Sequence, residues 1–176
     1  EHGLYYFSNR PNLNRVIVEK EEGVREPEVE EVVKEQVAQA AGSAFRVFVW
    51  PEKAADVGET RRPGLVLLPP EYSNSNPATT AFVRELLTST GTAFRIYKNT
   101  LLVLSMEEND YLALRQTARR YLALVKGVKG DSSLWARLTE ENCKTVEEKI
   151  EDASSLMTNK AVSSYRYLYR AAAPPT

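Results

Sequence analysis

The chain has 176 residues, the length of one ordinary domain. Lys and Arg number 23 against 24 Asp and Glu, a net charge of −1, with 43% apolar and 27% charged residues; that mix excludes a collagen, a disordered acidic tail and a histone-like basic protein. One His and one Cys leave no His/Cys zinc site, no disulfide within the chain and no Ser-His-Asp triad unless His2 is its base.

Taken in chain order, residues 4–7 are short, aromatic and bounded by Ser8-Asn9-Arg10-Pro11, which predicts a strand. Pro11 then opens a short helix with Leu13, Val16 and Ile17 on one face, closed by Gly23. Pro27 opens a second helix with a stripe of Val29, Val32, Val33, Val37 and Ala40, stopped at Gly42. Residues 19–35 carry eight acidic and three basic side chains, which suits a solvated face or a surface docking on a basic partner. Residues 45–50 alternate like a strand until Pro51, and 52–63 are a polar loop.

Residues 65–68 are a continuous apolar run, the pattern of a strand buried on both faces. Asn76 and Pro77 start a helix with Phe82, Val83, Leu86 and Leu87 on its apolar face, ended by Gly91. Residues 94–97 and 101–104 read as a tight hairpin around Lys98-Asn99-Thr100, or as two strand pieces joined by a bend. The acidic residues of 107–110 suit the start of a helix running to Gly127. Asp131 and Ser132 cap a short piece. From Thr139, apolar residues at steps of three and four (Cys143, Val146, Ile150, Ala153, Met157, Val162, Tyr165, Leu168) predict one helix of about thirty residues, roughly 45 Å long.

The expected fold is therefore α/β or α+β. It has a mixed sheet of about five strands flanked by helices, a long C-terminal helix, and residues 65–68 and 101–104 as central strands. Residues 1–130 read as a sheet-and-helix domain and 131–176 as a helical extension packing on it or on a partner, a second copy included. The ends read as those of a piece cut from a longer polypeptide. No apolar run approaches the ~18 residues of a membrane helix. No secretory leader is visible, and a lone cysteine fits a reducing compartment, so the expected location is the cytoplasm.

Chemistry-bearing motifs are sparse. None of the eight glycines precedes Lys-Ser or Lys-Thr, and no Gly-x-Gly-x-x-Gly exists, so the phosphate cradle of a P-loop or dinucleotide fold is missing. The four aspartates are dispersed, Glu107 and Glu108 are explained by capping, and Cys143 reads as a core thiol. Two clusters remain. Ser8-Asn9-Arg10-Pro11-Asn12-Leu13-Asn14 lies between a strand and a helix N-terminus, where Arg10, Asn12 and Asn14 suit either an anion site or a capped turn. Arg95-Ile96-Tyr97-Lys98-Asn99-Thr100 sets basic groups around an aromatic. That pattern suits phosphate or base contact through Arg95, Lys98 and Asn99, or a plain strand connection.

Residues 94–130 carry seven basic and three acidic side chains, so the N-terminal region is acidic and the C-terminal one basic. Arg115, Arg119, Arg120 and Lys126 on the helix over 108–126, with Arg166 and Arg170 in the Tyr-Arg-Tyr-Leu-Tyr-Arg run, form a candidate nucleic-acid surface. On a helix, Tyr165, Leu168 and Tyr169 would instead share a core face.

Ser8-Asn9-Arg10-Pro11-Asn12-Leu13-Asn14-Arg15-Val16-Ile17, the 95–104 segment Arg-Ile-Tyr-Lys-Asn-Thr-Leu-Leu-Val-Leu and Ala118-Arg119-Arg120-Tyr121-Leu122-Ala123 together resemble a family of large prokaryotic ATPases, domain of unknown function four hundred ninety-nine. The resemblance covers roughly residues 4–170. It implies a parent protein with an AAA-like P-loop module that uses ATP and Mg, in gene clusters of phage defence. Because this chain lacks Walker motifs, it resembles a region C-terminal to the nucleotide-binding core, with no catalytic residue, metal or cofactor of its own. Its implied partners are the remainder of the ATPase chain and DNA, without a membrane. Arg10 or Arg95 would reach a neighbouring module's phosphates as a sensor or finger.

Overall fold

A computed structural model describes residues 12–171. Its centre is a four-stranded sheet of β1 (Arg46–Val49), β2 (Gly64–Leu67), β5 (Leu101–Met106) and β6 (Tyr165–Arg170), in the order β1-β2-β5-β6. The first three are parallel; β6 runs antiparallel to β5. The expected strands at 65–68 and 101–104 are the two interior ones. Every residue of β2 is buried, with Leu65 and Leu67 toward one face and Val66 and Leu68 toward the other. A continuous apolar run is what a strand covered on both sides requires.

One face is covered by α2 (Glu26–Ala40), α4 (Glu108–Leu122) and the C-terminal half of α6 (Glu140–Ser164). Val29, Val33, Val37, Leu114, Ala118, Met157 and Ala161 meet Leu65, Leu67 and Met106 there. The other face is covered by α3 (Ala78–Thr88), whose Phe82, Val83, Leu86 and Leu87 pack on Val66, Leu101 and Val103. β1 and β2 are joined by a loop with one 3-10 turn, Ala54–Asp56, which tucks Ala54 and Val57 under α3.

A third cluster lies beyond the sheet. Ile17 of α1 (Leu13–Glu22) packs with Leu124 and Val128 of a π-helical segment, Ala123–Lys129, and with Leu134 of α5 (Ser132–Trp135). Val146 and Ala153 of α6 complete it, so α6 does overrun the sheet. At Gly127 the segment passes close to α1, because a Cβ there would meet Lys20 Cβ at 2.9 Å. The caps of α4, α5 and α6 follow the sequence, whereas α1 begins at Leu13 behind Asn12, later than the expected opening at Pro11. Side-chain oxygens of Asn12, Glu107, Asp131 and Thr139 accept backbone N–H groups at the starts of α1, α4, α5 and α6.

Two expectations are corrected. The long helix ends at Ser164, and Tyr165–Arg170 is a strand of the sheet. The helical spacing of Tyr165 and Leu168 was ambiguous with the alternation Tyr165, Tyr167, Tyr169, and the open edge of β5 supplied the hydrogen-bond partners that decide it. Residues 94–104 form no hairpin. Instead β3 (Ser89–Thr90) and β4 (Ala93–Phe94) make a small ribbon, and Lys98–Thr100 is a 3-10 turn leading into β5. The strand expected at 4–7 lies outside the described residues. Among the described residues, no helix is long and apolar enough to cross a membrane.

Candidate functional site

The segment 91–100 is one place where the backbone departs from its expected form. Gly91 occupies the first central position of the two-residue β3–β4 turn with φ +82°, a conformation open to glycine and matched to hairpin twist. The chain then meets the C-terminal end of α3, where the last carbonyls have no partner within the helix.

Arg95 supplies the partner. Its Nε donates to Leu86 O at 2.8 Å, Nη2 to Val57 O at 2.8 Å and Ser89 O at 3.2 Å, and Nη1 to Gly58 O at 3.3 Å. Its own N–H donates to Thr88 O at 2.7 Å. A guanidinium has donors enough for this and carries the charge that a helix C-terminus favours. Arg95 is only 3% exposed. Burial presses its pKa down, and the nearby Glu59 carboxylate opposes the shift. Arg95 as a phosphate contact or finger is therefore corrected: its donors are spent on backbone carbonyls inside the fold.

Glu59 clamps the next two residues, accepting from Ile96 N–H at 2.8 Å and Tyr97 N–H at 3.3 Å. Thr100 Oγ1 donates to Thr60 O at 2.9 Å, and Arg61 Nε donates to Tyr97 Oη at 3.1 Å while lying over that ring. The consequence is a fixed loop whose outward side chains are apolar: Phe94 is 86% exposed and Ile96 79%. Sequence reasoning missed this pair, because period-2 apolar residues around a charge read as a half-buried strand with the charge outward. The structure inverts that, with the charge inward and the apolar pair outward.

The other sequence-predicted residues do not converge. Asn12 Oδ1 accepts from the N–H of Asn14 at 3.1 Å and of Arg15 at 3.4 Å, so the Asn pair is a helix cap on α1. Arg10 lies outside the described residues. Lys98 and Asn99 are exposed in their turn on the α3 side of the sheet, apart from α1.

The basic helix meets the acidic one. Arg115 and Arg119 both bind the Glu26 carboxylate, and Arg119 also donates to Val24 O at 3.3 Å. Arg120 faces Glu21 at 3.6 Å, Lys126 faces Glu28 at 3.4 Å and Arg166 faces Asp110 at 2.8 Å. The Arg119 and Arg115 hydrogen bonds hold the Glu26 carboxyl below its usual range, and Arg25 does the same for Glu28. Arg115, Arg119 and Arg120 of α4 and Lys126 just beyond it thus face three carboxylates of α1 and α2, with Arg115 and Arg119 sharing one. Arg170 stands apart at the end of β6, exposed.

At the opposite ends of the strands, Trp50 is buried with φ 54°, an uncommon conformation for a bulky residue. Its Nε1 donates to Tyr165 Oη at 2.9 Å, which donates to Leu68 O at 2.9 Å. Burial raises the Tyr165 pKa, so this phenol stays a donor. The chain of bonds ties the ends of β1 and β2 to the start of β6. Among the described residues, no group of three or more His, Cys, Asp or Glu side chains is placed to hold a metal ion. Compared with protein-family models, curated proteins and solved structures, the chain matches none.

Proposed function

We propose that this chain is a non-catalytic docking domain, the cytoplasmic accessory part of a larger P-loop ATPase that couples nucleotide state to a partner. The observation that carries the reading is the Phe94–Ile96 knuckle. Two large apolar side chains held in water by Arg95 and Glu59 are costly in isolation and characteristic of a contact centre. The resemblance of the Arg95–Leu104 and Ala118–Ala123 motifs to the ATPase family supports the choice of host and of a defence role. ATP and Mg belong to the P-loop module in this reading, and this chain supplies contact only.

The experiment is titration calorimetry of this chain against the P-loop module of its parent. Binding is expected to weaken at least tenfold in F94S/I96S while the melting temperature holds, since neither side chain is packed. Equal binding by the variant, or none by the wild type, defeats the reading. A nucleic-acid role is not favoured, because Arg115, Arg119, Arg120 and Lys126 already face Glu26, Glu21 and Glu28.

A further inference from the structure

β6 is the last strand of the sheet, and among the described residues no strand lies beside its outer edge. An edge of this kind presents a row of N–H and C=O groups that another extended segment can pair with. The bulge in the β5–β6 pairing falls between Ser105 and Met106, opposite the start of β6, so the stretch from Tyr167 to Arg170 stays in regular register.

Against this edge lies an open groove of about 570 Å³. Its far wall is one face of α3, where Val83, Arg84 and Leu87 are neighbours at the three- and four-residue spacing. Leu168 lines the near side. Three cations from three separate elements surround the apolar floor: Arg84 of α3, Lys98 of the 3-10 turn and Arg170 of β6. Among the described residues, no carboxylate lines the groove. All three are exposed, and among the described residues none has a salt-bridge partner. This contrasts with α4, where each arginine already faces an acid.

We infer that the β6–α3 groove binds an extended acidic peptide segment of a partner protein, which adds as a fifth strand on β6. Backbone pairing supplies register, an apolar side chain packs into the groove between α3 and Tyr169, and flanking Asp or Glu residues meet Arg84, Lys98 and Arg170. The charge selects an acidic ligand. The open shape beside an edge that no described strand pairs selects an extended chain over a compact anion, which would leave the edge unused. This surface is distinct from the Phe94–Ile96 knuckle.

The test pans a phage-displayed library of random twelve-residue peptides on this chain, with the R84E/R170E variant as counter-selection. Enrichment of peptides with acidic residues flanking Leu, Ile, Val or Phe is expected. The synthetic form of the best peptide should bind at least tenfold more weakly to R84E/R170E, and equally well to F94S/I96S. Proline at its central position should weaken binding at least tenfold, and bound peptide should slow hydrogen exchange at amides of β6. No enrichment, a basic consensus, equal binding to R84E/R170E, or binding that leaves β6 amides unprotected overturns the inference. Both substituted arginines are exposed, so an unchanged melting temperature confirms that the variant is folded. Loss of peptide binding with an intact knuckle separates this result from that of the docking reading.

Discussion

Arg95 shows how one residue's environment decides its meaning. In the sequence it is a cation beside an aromatic and a lysine. In the fold it is a cross-link between the C-terminal end of α3, the 57–58 loop and β3. Removing it leaves the buried Leu86 and Val57 carbonyls without their donor, and each such loss costs about 1–3 kcal/mol. R95L is therefore expected to destabilise the chain by at least about 2 kcal/mol in urea unfolding, with the midpoint shifted down. R95K is expected to recover little of it, because an ammonium cannot reproduce the planar fork. An unchanged midpoint in R95L would show that these bonds add nothing to folding.

Among the elements, the contact of α2 with α4 is where two arginines share one carboxylate, Glu26. Glu26 and Glu28 bind protons less readily folded than unfolded, and so does Asp131, whose carboxylate accepts the Leu134 N–H and pairs with Lys20 at 3.0 Å. A carboxyl with a lowered folded pKa contributes stability that is fully present above its unfolded value and lost as pH falls through the folded one. The melting temperature is therefore expected to hold from pH 7 to about 5 and to fall below about 4.5. Thermal melts of E26Q should start lower at pH 7 and fall less on acidification. A parallel fall in wild type and variant would remove Glu26 from this role.

Across the whole molecule, the acidic N-terminal third and the basic middle are partners of each other rather than poles facing outward. Reversing the basic set tests which description holds. R115E/R119E/R120E is expected to lower the melting temperature most at low salt, where Glu21 and Glu26 would then repel it, and less at 0.5 M salt. Retention on immobilised double-stranded DNA at low salt is expected to be the same in the variant as in the wild type. A folded variant that loses salt-dependent DNA retention would restore these arginines to a nucleic-acid role.

The sequence by itself determined the elements whose signals are local. The continuous apolar runs marked β2 and β5 as interior strands, because burial on both faces leaves no polar position. Glu107, Asp131 and Thr139 marked helix starts, because a short side-chain oxygen reaches its own backbone within three residues. Only the tertiary structure decided what depends on segments far apart in the chain. Tyr165–Arg170 fits a helix or a strand by spacing alone, and it is a strand because β5 offers an unpaired edge there. Phe94 and Ile96 face water because carbonyls from residues 57, 58, 86 and 89 draw Arg95 inward. Likewise, which charges find partners depends on which helices are packed together: α4 meets acids on α1 and α2, whereas among the described residues Arg84, Lys98 and Arg170 meet none.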